Sequence, residues 1–481
     1  MRPQVIIKYI GIVLLFNAAF LGISAIISLV LSENSFLPLV YTSFIAIILG
    51  IFPSIFVEKV EEISYYEGLG ISVLGWLFTC IVGMVPYIMW GGEFTLSAAF
   101  FESVSGFTTT GATVLVDVEA LPKGLLFWRG STHFIGGLGI ILFILLLLPN
   151  TGGIRGSLYK SEVSWLSMIN FKMKTKEIAN TLLVVYFALT FVEILLLKVF
   201  GMTWFDSICH SFATVATGGF STKNLSVAYF NSVPIEVIIM IFMVLGSIHF
   251  GLLFGTVTGK KANIFTSKIA KSYLLVIFIG IMAVTLNLTF NHYYDFWTSL
   301  RYASFQVISL GTTTGFATVD TPNWPIFSIL IIIYFTIQCG MVGSTAGGLK
   351  YDRVYVFFKS LSKQIKLSKH PNALYVIKAD DTIISEDMEL QTIFFIVLYL
   401  ITLGIVTFIL ALMNIDGITA FSASVATIGN AGPGFGKVSS LGNYSGIPEM
   451  GKFVLSINML FGRLEIMNII VFIGLLAGKR R

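Results

Sequence analysis

The chain has 481 residues, 56% of them hydrophobic and only 11% charged, with 43 phenylalanines. Soluble proteins carry about 25% charged residues, so the composition excludes a soluble enzyme, a disordered chain and a disulfide scaffold. A formal net charge of +5 would suit nucleic acid, but the charges sit in loops between apolar runs. That is the pattern of positive-inside membrane topology, and no nucleic-acid partner is expected.

An apolar stretch of about 20 residues crosses the bilayer core as a helix. In chain order the predicted spans are roughly 8–31, 37–57, 69–92, 125–148, 178–200, 233–257, 268–290, 326–349, 390–413 and 452–476. The first has too long an apolar run, and no A-x-A-like exit, for a cleaved signal peptide. The even number of crossings returns both termini to one side. Residues 1–8, 58–68, 149–177, 258–271, 350–389 and 477–481 collect 22 of the 30 basic residues, among them Lys172, Lys174, Lys176, Lys260, Lys261, Lys479, Arg480 and Arg481. That face, with both termini, is expected to be cytoplasmic. The longest polar stretch, about 350–389, has no room for a folded nucleotide domain, and no Walker A sequence occurs. A primary ATP pump is not expected, and any sensing or energy-coupling domain belongs to another chain.

The connections after the third, fifth, seventh and ninth spans share a pattern. Each holds a short, mildly apolar helical run followed by a Thr/Gly cluster: FESVSGFTTTGAT (101–113), CHSFATVATGGFS (209–221), FQVISLGTTTGFA (305–317) and SASVATIGNAGPG (422–434). Aligned without gaps, they place Gly111, Gly219, Gly315 and Gly432 in one column, at intervals of 108, 96 and 117 residues. Each interval accommodates two spans and a re-entrant segment. Backbone that leaves the helical form at membrane depth survives only when buried in protein or lining water. Four such segments on one axis would turn carbonyl oxygens inward and replace the water shell of a cation. Glycine permits the dihedrals this needs, and threonine adds hydroxyls without charge.

Together with GSTAGGLKYDR (343–353) and GRLEI (462–466), these segments make the chain resemble the TrkH members of the Trk/Ktr/HKT superfamily of potassium transporters over nearly its whole length. The resemblance implies an all-α polytopic membrane protein with about ten transmembrane helices. They would form an N-terminal helix pair (1–66) and four M1–P–M2 pseudo-repeats around one pore (67–150, 151–260, 261–370 and 371–481). It implies potassium uptake across a bacterial inner membrane, with K+ as the transported ion, no bound organic cofactor and no enzymatic reaction. A homodimer and a cytosolic, nucleotide-binding TrkA-type regulatory subunit are the implied partners. Two positions depart from the family pattern: Ala431 in the fourth cluster, and His133 where a Gln is expected.

On this resemblance the K+ selectivity filter comprises Thr109, Thr110 and Gly111; Thr217, Gly218 and Gly219; Thr313, Thr314 and Gly315; and Asn430, Ala431 and Gly432. Plant relatives with Ser at the first filter glycine are associated with sodium, so Gly111 implies potassium selectivity. Gly340, Gly343, Ser344, Thr345, Gly347 and Gly348 interrupt the eighth predicted span, and glycine costs a helix interior about 1 kcal/mol relative to alanine. The stretch is expected to unwind into an intramembrane gate beneath the filter. Arg463 falls mid-way along the tenth predicted span, where a charge costs a few kcal/mol unless it faces water or a partner. It is expected to face the pore as a barrier to cations. Asp206, Asp295 and Asp416 are expected to cap the short pore helices. No nucleophile–base or paired-carboxylate constellation occurs to support an enzyme. A strictly coupled K+/H+ or K+/Na+ symporter and a non-transporting structural subunit remain the alternatives.

Overall fold

A computed structural model describes residues 1–58, 63–139, 175–380 and 382–478. The predicted cytoplasmic loop at 149–177 lies largely outside these residues, as do Lys479, Arg480 and Arg481. The described chain is almost entirely helical, with one small antiparallel hairpin, β1 (Ile377–Ala379) and β2 (Thr382–Ile384). Among the described residues six helices are long and apolar enough to cross a membrane, and two further pairs qualify as bent spans.

The first two helices, α1 (Pro3–Val30) and α2 (Phe36–Phe56), form an antiparallel pair. A Cβ on Gly11 would stand only 2.9 Å from the Gly50 carbonyl oxygen, the close approach that small residues permit between membrane helices. Four units of long helix, short helix and long helix follow. The first is α3 (Tyr65–Trp90), α4 (Leu96–Phe107) and α5 (Lys123–Leu138). The second is α6 (Thr175–Val199), α7 (Trp204–Val215), α8 (Val233–Ser247) and α9 (Phe250–Val257). The third is α10 (Lys268–Phe290), α11 (Phe296–Gly311), α12 (Ile326–Gln338) and α13 (Tyr351–Lys369). The fourth is α14 (Glu386–Leu412), α15 (Gly417–Ile428), α16 (Glu449–Leu464) and α17 (Ile466–Leu476). This is the architecture expected of an N-terminal pair and four M1–P–M2 units.

In the second, third and fourth units the second long helix is not continuous, which corrects three of the predicted spans, and in the first unit the described helix ends at Leu138, with 140–148 of the predicted span outside the described residues. The run at 233–257 bends by 107° between α8 and α9, and that at 452–476 by 104° between α16 and α17. The run at 326–349 is helical only to Gln338, and the helix opening 125–148 closes at Leu138. The breaks fall at Gly139 (φ 74°), Ile248, Cys339 (φ 62°) and Glu465 (φ 63°). Only one of the four is a glycine.

The short helices start on polar caps. Thr95, Thr203, Asp295 and Asp416 accept amide bonds from the first turns of α4, α7, α11 and α15. Asp295 and Asp416 thus act as expected. Asp206 instead lies inside the first turn of α7, and its own amide donates to the Thr203 hydroxyl.

Candidate ion pathway

Each short helix ends in the same hydrogen-bonded turn. The amides of Thr109, Thr217, Thr313 and Asn430 donate to carbonyls three residues back, at 3.1, 2.9, 3.1 and 3.2 Å. The next amides, of Thr110, Gly218, Thr314 and Ala431, donate five residues back at 2.9, 2.7, 2.8 and 2.9 Å. These paired bonds define a Schellman helix end, whose left-handed position is usually glycine. Here it holds Thr109, Thr217, Thr313 and Asn430, with φ of 54°, 54°, 62° and 52°. Two residues on, Gly111, Gly219, Gly315 and Gly432 are left-handed again, with φ of 79°, 80°, 85° and 82°.

The four segments close into a ring in chain order. A Cβ on Gly111 would overlap the Gly218 carbonyl oxygen, one on Gly219 that of Thr314, one on Gly315 that of Ala431, and one on Gly432 that of Thr110. All four glycines line one cavity of about 70 Å³. Each short helix therefore aims its C-terminus, the negative end of its dipole, at a common centre, an arrangement favourable to a cation. At the outer rim, the side-chain amide of Asn224 holds the exposed Asp117 carboxyl below the usual carboxylate range and so ionised.

The residues of the predicted gate form the connection from Cys339 to Lys350, packed against this ring. The Thr345 hydroxyl donates to Val215 O at 2.9 Å and Gly246 O at 3.0 Å, and the Gly347 amide donates to the Thr313 hydroxyl at 3.2 Å. A Cβ on Gly347 would stand 2.5 Å from Asn430 Oδ1, so the loop lies against the fourth segment too. Gly340 O accepts from the Tyr351 amide at 2.8 Å, Gly343 O from the Phe250 amide at 3.0 Å, and Ser344 caps Met341 O at 2.6 Å. Gly348 is left-handed, with φ 65°.

Arg463 sits in the last turn of α16, beside the bend that divides the tenth predicted span. It donates to Thr345 O at 2.7 Å and to Gly136 O at 2.5 Å, joining the loop of the third unit to α5 of the first. Glu465, the break residue, pairs instead with Arg353 at 2.7 Å. Glu236 pairs with Arg301 at 2.6 Å, and Glu193 is fully buried. Among the described residues no His/Cys/Asp/Glu cluster suited to a metal site occurs.

Sequence reasoning missed Glu102 and Arg129. They form a fully buried ion pair of 2.7 Å beside the first and second segments. No local spacing joins the partners, which stand 27 positions apart.

Residues 75–477 match the TrkH family, described as a cation transport protein. The Trk system potassium uptake proteins TrkH of Salmonella typhimurium and Escherichia coli K12 are each 33% identical to this chain over 98% of both. The crystal structure of the potassium transporter TrkH from Vibrio parahaemolyticus superposes with a TM-score of 0.87 at 29% identity, covering 98% of each chain. A family match over most of the sequence, relatives matched from end to end and a shared fold agree: this chain belongs to the TrkH family of cation transport proteins.

Proposed function

We propose that this chain carries K+ into a bacterial cell through the ring formed by the segments at 109–111, 217–219, 313–315 and 430–432. The observation that carries the reading is the closed glycine ring, in which each segment's left-handed glycine abuts a backbone carbonyl of the next. Alternating left-handed residues let consecutive carbonyls face one axis, and such carbonyls replace a cation's water shell. The uptake activity named for the TrkH relatives supports potassium as the ion. The protein is a membrane protein by its apolar helices; the inner membrane, with both termini in the cytoplasm, is our reading of the basic-residue count.

The loop from Cys339 to Lys350 and Arg463 act together as the gate. The loop blocks the path beneath the ring, and the Arg463 charge opposes a cation there. A cytosolic nucleotide-binding subunit of the TrkA type regulates this gate, and the chain pairs as a homodimer. The test is growth of a bacterium lacking potassium uptake, on limiting K+, with and without this gene. Rescue is expected at low K+ alone. No rescue, with the protein present in the membrane, would refute the reading.

A further inference from the structure

His133 departs from the family pattern, and its surroundings give it a task. It lies on α5, four residues after Arg129, so the two side chains share one face of that helix. Its Nδ1 lies 2.7 Å from Gly106 O, and its Nε2 lies 3.0 Å from the Phe220 amide nitrogen. A carbonyl only accepts and an amide only donates, so the imidazole is neutral with its proton on Nδ1. Gly106 lies in the last turn of α4, and Phe220 directly follows the filter glycine Gly219.

The Phe220 ring is held by two side chains of α5. The His133 imidazole stacks on it at 4.2 Å and 28°, and the Arg129 guanidinium stands 3.9 Å from its centre. Arg129 also donates to Ser221 O at 3.2 Å, to the Thr113 hydroxyl at 3.3 Å and to Glu102 Oε1 at 2.8 Å. Glu102 in turn accepts from the Thr113 hydroxyl and the Val114 amide, each at 3.0 Å. Glu102, Arg129, His133 and Phe220 are all buried. Finally, a Cβ on Gly218 would stand 2.6 Å from the imidazole. His133 thereby fills the space a side chain would need at the middle filter position of the second unit. Thr110, Thr314 and Ala431 occupy the corresponding positions elsewhere.

The geometry points to a clamp, built on α5 from His133 and Arg129, that fixes the second filter segment against the first and so sets ion discrimination. A buried ion pair is weak support for stability and is more readily retained for the arrangement it enforces. Two charges and a ring with both nitrogens bonded, all converging just beyond two filter glycines, fit that role. Filter carbonyls discriminate between ions only if their spacing is held. His133 and Arg129 touch no ion in this scheme; they are positioning residues.

The inference rests on the filter reading above, and one set of measurements separates the two. Purified full-length protein in liposomes is assayed for Rb+ against Na+ tracer uptake. His133→Leu should lower the Rb+/Na+ ratio by about tenfold, because it leaves the Gly106 carbonyl and Phe220 amide unpaired. His133→Gln should keep most of the ratio, since its amide can both donate and accept. Phe220→Leu removes the clamped ring without removing a polar partner and should lower the ratio as well, covering the case in which His133→Leu does not fold. If folded His133→Leu or Phe220→Leu keeps the wild-type ratio while Gly111→Ser alters it, the filter stands and the clamp is wrong. If His133→Gln loses as much as His133→Leu, the bonding scheme is wrong. An unchanged ratio in Gly111→Ser overturns the filter reading and the clamp with it.

Discussion

Asn430 occupies in the fourth filter segment the left-handed position that threonine holds in the other three. Asparagine tolerates that region, whereas a β-branched residue there is strained. Three threonines held so, each at a cost on the order of 1–3 kcal/mol, indicate a site maintained for use rather than stability. Asn430 also closes the seam between the ends of the chain: its side-chain amide donates to the Thr110 hydroxyl and to Met459 O, both at 2.9 Å. The glycines face the opposite constraint, because any side chain would enter the neighbouring segment's carbonyl. Gly111→Ser should therefore displace Gly218 O and admit Na+. In competitive uptake the Rb+/Na+ preference is expected to fall by about tenfold, the equivalent of about 1.4 kcal/mol.

Among the elements, the broken helices bear most directly on the proposed gate. The irregular backbone is satisfied by bonds distant in sequence: the Met341 amide to Ser247 O of the second unit at 2.9 Å, the Val342 amide to Asp352 Oδ2 within the third unit at 2.7 Å, and the Arg463 bonds from the fourth unit to Thr345 and Gly136. The convergence of the four Thr/Gly segments was legible in the sequence because their glycines repeat in register after recognisable helix starts. The unwinding at 340–348 was legible from its glycines. The other breaks were not, since Ile248 and Glu465 carry no local stop signal and long-range bonds impose the turn. Glu102 with Arg129 was illegible for the same reason, as no local spacing joins α4 to α5. Arg463→Ala removes both a charge and a tether of the loop. A unit charge about 8 Å from an ion, at an effective dielectric of about 20, opposes it by about 2 kcal/mol, or roughly thirtyfold in rate. Flux through Arg463→Ala in liposomes without any partner should rise by up to that factor. Equal or lower flux from normally inserted protein would leave Arg463 a purely structural tie.

At the scale of the whole molecule, the loop proposed as the gate is joined directly to helix α13, whose lysines belong to the face read as cytoplasmic from its basic residues. The loop runs into α13 through the Tyr351 amide bond to Gly340 and the Asp352 bond to Val342. Arg353, at the start of α13, grips the break residue Glu465 and stacks over Phe395 at 3.9 Å. Further along, Lys359, Lys366 and Lys369 are exposed beside exposed Phe358, Leu361 and Ile365. Lys363 is instead held by Glu389 at 2.9 Å. A partner that binds the exposed lysines and shifts α13 would thus act on the loop at one end and on Glu465, two residues from Arg463, at the same time. Headgroup attraction would also use those lysines, so the experiment must separate the two. Lys359, Lys366 and Lys369 changed together to Glu should reduce co-purification of a TrkA-type subunit. Nucleotide-dependent flux with that subunit present should fall while flux of the isolated chain in neutral-lipid liposomes stays unchanged. Retained co-purification and nucleotide response in the triple variant would remove α13 from the regulatory path. A loss of flux in the isolated chain as well would make these lysines part of the transport fold itself, not the handle by which a partner opens it.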